Sequence, residues 1–129
     1  MILRLLGRLF LVLHGLVHLW YVVLSQGWVE IEEQMGWGGH SWLLSWMLAT
    51  ETILLLASVG YVLVTAGFVI GGIGYVLQRE WWEAVVIGAA VLSTLVIVTM
   101  WDGTFEYLIE QGAAGVLINI GLLVYLLRL

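Results

Sequence analysis

Long apolar runs separated by short polar breaks set the plan of this chain. The first run, opening "MILRLLGRLF", carries to about Ser25, and the polar, acidic stretch "QGWVEIEEQMGWGGHS" follows over residues 26–41. The next apolar stretch, from Trp42 to Gln78, is too long for one straight helix, because a membrane span takes about 20 residues. The polar triplet Thr50-Glu51-Thr52 offers a break in it. Ahead of that break, "SWLLSWML" reads as a short interfacial segment; residues 42–49 either lie flat or continue the second span. A third run ends near Trp101, and the polar turn "DGTFEYLIEQG" leads into a fourth. The pattern predicts an all-α polytopic membrane protein, a single four-helix domain over residues 1–129 with spans at about 3–25, 51–76, 81–101 and 113–127.

The N-terminal run is an uncleaved span on this reading. It outlasts the roughly 7–15 apolar residues of a secretory signal, and no small-x-small site follows it.

Charge then suggests an orientation. The four basic residues are Arg4, Arg8, Arg79 and Arg128. Four spans with both termini cytoplasmic place all of them inside, as loops rich in Lys and Arg require. Glu30, Glu32, Glu33, Asp102, Glu106 and Glu110 then fall outside, with Glu51 at their edge. Tryptophan follows the same layout: Trp81 and Trp82 open the third span on the inner side. Trp20, Trp28, Trp37, Trp42, Trp46 and Trp101 crowd the outer side as an aromatic belt and a partly ordered cap containing interfacial helix. The expected location is a prokaryotic cytoplasmic membrane.

Composition narrows the function. With 63% hydrophobic and 10% charged residues, the chain has too little polar surface to cover a water-soluble globule. It contains no cysteine, which excludes disulfides, thiolate catalysis and cysteine-ligated metal. A net charge of −5 without a basic patch argues against nucleic acid as a partner. The lipid bilayer is the first partner implied, and other membrane subunits or copies of this chain are the next.

Small residues at helical spacing supply candidate packing faces: Gly67 and Gly71 in the second span, Ala84/Gly88 and Ala89/Ser93 in the third, Gly115/Asn119 in the fourth. Such spacing lets helix backbones approach closely where lipid gives little drive for association.

The best chemical lead is "LHGLVHLW". Spacing of three and four puts Gly7, Leu11, His14, His18, Tyr21 and Ser25 on one stripe of the first span, too polar to face lipid. Counted from the outer end, His18 lies roughly 10 Å deep and His14 roughly 16 Å. Asn119 lies at about the depth of His18. Glu51 and Asp102 stand at the same end of their spans. The outer half could therefore collect His14, His18, Tyr21, Glu51, Asp102 and Asn119.

Two readings stand side by side here. A neutral imidazole donates one hydrogen bond and accepts another, so the histidines could simply tie helices together. Equally, an intramembrane ionisable residue marks a functional site. The ligand open to such a site is a metal, pigment, quinone or lipid-like molecule, with redox or proton handling conceivable. Two histidines four apart on one helix cannot sandwich a haem. The glutamate of H-E-x-x-H is absent, so a zinc protease fails, and a metal would need Glu51 or Asp102. His40 falls in the polar connection as an exposed residue, and "GGIG" lacks the strand-to-helix context of a phosphate loop. No internal repeat supports a transporter.

With the spans drawn, the chain resembles a family of small, uncharacterised four-helix bacterial membrane proteins. The likeness rests on "LHGLVHL", "GHSWLL", "FVIGGIG", "EWW", "WDG" and "LINIGLLV". In layout it is also similar to DoxX-like membrane proteins. These resemblances imply four spans and their topology, and carry no activity to particular residues. The leading expectation is a small, non-catalytic accessory or binding subunit; the alternative is an embedded ligand site built on His14 and His18.

Overall fold

The computed structural model describes residues 1–29 and 37–129, and every regular element among them is helical. Helices α1 (Ile2–Val17) and α2 (Leu19–Ser25) form one rod, because His18 between them keeps a right-handed backbone at φ −63° and ψ −21°. Helix α3 spans Thr50–Val76, α4 Trp82–Met100 and α5 Ala113–Leu126. These bounds lie within one residue of those drawn from hydropathy. The α1–α2 rod, α3 and α4 are long and apolar enough to cross a membrane, which fits a lipid environment. The fourth apolar helix, α5, has 14 residues. At 1.5 Å per residue it is about 21 Å long, short of a hydrocarbon core about 30 Å thick.

Residues 42–47 form successive turns, where the sequence suggested interfacial helix. Ser45 N–H donates to the Ser41 carbonyl at 3.0 Å and Leu48 N–H to the Leu44 carbonyl at 2.8 Å. The segment does not continue α3, because Ala49 is extended at φ −67° and ψ 151°. It is stitched instead to the end of α4. Trp42 N–H donates to the Trp101 carbonyl at 2.8 Å, its indole to the Val98 carbonyl at 2.7 Å, and the Ser41 hydroxyl to the Thr99 carbonyl. Trp37 is buried and its indole donates to the carbonyl of His40, whose own side is exposed. The acidic run Glu30, Glu32 and Glu33 lies outside the described residues.

The helices pack in a row that does not close. The α1–α2 rod lies on α3, α3 on α4, and α4 on α5, while no Cα of the rod comes within 8 Å of one in α5. Two apolar clusters fill the row. One gathers Tyr21, Leu24, Ile53, Ala57, Tyr61, Ile97 and Met100; the other gathers Leu11, Val64, Phe68, Val86, Ala90 and Leu126.

Small residues set the closest approaches. A Cβ on Gly71 would meet Val86 Cγ2 at 2.5 Å, and one on Gly67 would meet Ala89 Cβ at 2.8 Å. Gly15 is pressed against α3 in the same way, with Phe68 Cβ at 2.7 Å. The pair Ala84/Gly88 does not pack: both residues are exposed and nothing lies within 4 Å of a Cβ built on Gly88. The α4 face turned to the bundle instead runs through the buried Val86, Ala89, Ala90, Ser93 and Ile97. Gly115 makes only an ordinary contact, 3.4 Å to Ile97 Cδ1.

Candidate functional site

Gly15 sits between the two histidines, and its close approach to α3 brings both imidazoles against Phe68. Their ring centroids lie 4.8 Å (His14) and 5.7 Å (His18) from that of Phe68. The Thr65 hydroxyl, on α3, donates to the Gly15 carbonyl at 3.1 Å and to its own helix at Tyr61, 2.9 Å. The predicted stripe therefore faces inward: Leu11, His14, His18, Tyr21 and Ser25 are all buried, and Gly7 is half-buried.

Hydrogen-bond chemistry assigns the protons. The His14 carbonyl only accepts, so His18 Nδ1, 2.9 Å away, carries a hydrogen and donates to it. A neutral His18 then accepts at Nε2, where the Ser93 hydroxyl donates at 2.7 Å. With its hydrogen committed, Ser93 Oγ accepts from Asn119 Nδ2 at 2.8 Å. Asn119 Oδ1 in turn accepts from His14 Nε2–H at 3.0 Å. The four side chains and one peptide carbonyl make a closed ring linking α1, the α1–α2 junction, α4 and α5. Asn119 and Ser93 are 0% exposed, so each bond replaces one that water cannot supply. His18 N–H, displaced from its usual acceptor by its own imidazole, bonds to the Gly15 carbonyl at 3.1 Å instead, a tighter turn than α-helix.

One valence of the ring is left over. Among the described residues His14 Nδ1 has no hydrogen-bond partner, and it is not sealed off. His14 lines a cavity of about 320 Å³ on the unclosed side of the row. The walls are otherwise mainly apolar: Phe10, Leu13 and Val17 from α1, Ile97 from α4, Ile118 from α5, and Ile109 from the turn before it. The Phe10 ring stacks on His14 at 5.7 Å and an interplanar angle of 9°. At the cavity's upper end Tyr21 OH donates to the Glu110 carbonyl at 2.7 Å. Gly112, with φ +110°, lets the chain turn into α5 there, and a Cβ on it would meet Ile97 Cγ2 at 2.9 Å.

Of the residues the sequence singled out, His14, His18, Tyr21 and Asn119 come together. Asn119 meets His14 directly and reaches His18 through Ser93, about one helical turn from the depth match expected. Glu51 and Asp102 do not join them. Glu51 is exposed in the first turn of α3, where its charge suits the helix N-terminus. Asp102 accepts from Thr104 N–H at 2.8 Å and from its hydroxyl at 2.9 Å, capping its own loop. No group of three His, Cys, Asp or Glu side chains able to hold a metal exists among the described residues.

Ser93 was missed as a site residue. It was visible only as the small partner of Ala89, although its place near the middle of the third span was a usable signal. A second polar tie went unremarked: the Ser58 hydroxyl lies 2.6 Å from Ser25 Oγ and accepts from Gln26 Nε2 at 2.7 Å.

Comparison of the chain with family models, curated proteins and solved structures finds no match.

Proposed function

We propose that this chain is a small, non-catalytic integral membrane binding protein that takes a lipid-like molecule into the cleft between α1 and α5. The observation carrying this reading is His14 Nδ1, an acceptor with no partner among the described residues, on an otherwise mainly apolar cavity of about 320 Å³. Ligand pockets of this size typically combine apolar walls with a few placed polar groups. The ligand would donate a hydrogen bond to Nδ1, as a hydroxyl or a quinol does. A binding role is favoured over a catalytic one because the ring already engages the other polar groups of His14, His18, Ser93 and Asn119.

A second reading rests on the same unclosed side. A helix of a larger membrane complex, or of a second copy, could cover the gap between α1 and α5 and make the chain an accessory subunit. In either reading we propose four spans with both termini cytoplasmic, the topology shared by the four-helix bacterial family it resembles. All four arginines lie at one end, as positive-inside sorting favours. Single cysteines added near Met1 and Leu129 would test this directly, since the native chain has none.

Native mass spectrometry on protein extracted gently from its own membranes separates the two readings. The cleft reading expects the chain alone, heavier by one discrete small mass that His14→Ala abolishes while helicity is retained. Co-extracted polypeptides with no small mass would replace it by the accessory reading. A small mass kept in both His14→Ala and His18→Ala would end the site built on these residues.

A further inference from the structure

Three of the four basic side chains meet at one end of the bundle. Arg4 and Arg8 stand one turn apart on α1, and the ending of α3 brings Arg79 to them. There Gln78 adopts a left-handed backbone at φ 53°, Arg79 N–H returns to the Gly74 carbonyl at 2.9 Å, and Gln78 N–H to the Tyr75 carbonyl at 3.2 Å. This paired closure reverses the chain over the helix end. The three arginines line a hollow of about 360 Å³ with Tyr75, Glu80 and Trp82.

Arg8 has no counter-ion among the described residues. Its guanidinium carbon lies 5.3 Å from the centroid of the Tyr75 ring. Its Nε is closed to solvent and has no hydrogen-bond partner. Glu80 shares the hollow yet pairs with none of the three arginines. The one ion pair among the described residues is Arg128 with Glu83, at 4.0 Å. Three cations against one carboxylate, with one donor unsatisfied, suit a phosphate-type anion.

The adjoining surface decides the source of that anion. Tyr75 and Trp82 also wall a second hollow, about 390 Å³, which runs between α1 and α5 past Gly7, Leu11 and Leu122 and is bordered by the Arg128–Glu83 ion pair. A free phosphate gains nothing from the leucine and aromatic walls of that groove, whereas an acyl chain does. We propose that this end of the bundle binds an anionic phospholipid, its phosphodiester against Arg4, Arg8 and Arg79 and an acyl chain laid in the groove. Basic pockets between membrane helices are suited to such headgroups. The site adjoins the His14 cavity at Phe10, and its arginines do not depend on that cavity.

The test places the full chain in nanodiscs of equal dioleoylphosphatidylcholine and dioleoylphosphatidylglycerol and counts the lipids retained in native mass spectrometry. Wild type is expected to retain phosphatidylglycerol preferentially. Arg8→Gln and Arg79→Gln should each cut that preference about fivefold, the equivalent of ~1 kcal/mol per arginine. Arg79 is exposed, so its substitution reads the site without disturbing packing. His14→Ala, which lines neither hollow, should leave the preference intact. Equal retention of both lipids overturns the proposal, as does a loss in His14→Ala matching that in Arg8→Gln. Displacement of the retained lipid by inorganic phosphate overturns it too, by making the hollow a site for the free ion.

Discussion

Along α3 and α4 the backbones close until a single methyl on Gly71 would strike Val86 at 2.5 Å. Between the α1–α2 rod and α5 no two Cα atoms come within 8 Å; His14 bonds to Asn119 across the gap, and Tyr21 reaches the Glu110 carbonyl in the turn before α5. One seam is held by dispersion between small and branched residues, the other by a few hydrogen bonds across a gap. In lipid both work, because neither relies on expelling water. They differ in what they leave open: the first has no room for a ligand, and the second is where the larger part of the polar chemistry and a cavity coincide.

Substitutions separate the two seams in order of expected effect. Gly71→Leu forces the close seam apart and should cost about 3 kcal/mol, read as unfolding of the full chain in mixed micelles titrated with dodecyl sulfate. A cost no greater than that of Gly88→Leu would show that close approach does not hold α3 to α4. Asn119→Ala removes two links of the ring at once and should cost about 1–2 kcal/mol. Its amide exchange should quicken in α5 and stay unchanged in α3; uniform quickening would mean that the ring braces the whole row. Ser93→Ala strands His18 Nε2 and should cost about 1 kcal/mol, with any ligand mass retained. Gly88→Leu, on an exposed face, should fall within about 0.5 kcal/mol of wild type.

The sequence carried the helices well and the contacts unevenly. Hydropathy placed the helix ends within a residue because apolar length is a property of the chain alone. The polar stripe of the first span was legible for a related reason, since a histidine four residues from another must share its face. Partnership across helices was not. Ala84/Gly88 and Ala89/Ser93 look equivalent as spacings, and only the rotation of α4 against α3 buries the second pair and exposes the first. Glu51 and Asp102 were grouped with the histidines by depth, yet depth fixes one coordinate of three, and both carboxylates sit where a helix end or a loop amide uses them. Ser93 escaped because a serine in an apolar helix ordinarily bonds to its own backbone; its role here depends on Asn119 and His18 arriving from two other helices.

The ring itself has an electrical consequence. Its links include a carboxamide and a peptide carbonyl, neither of which passes a proton onward by simple hopping, and its last donor returns to the residue where it began. The ring by itself therefore relays no proton from one face of a bilayer to the other. Polar side chains can thus lie deep among the helices without this ring serving as a proton wire.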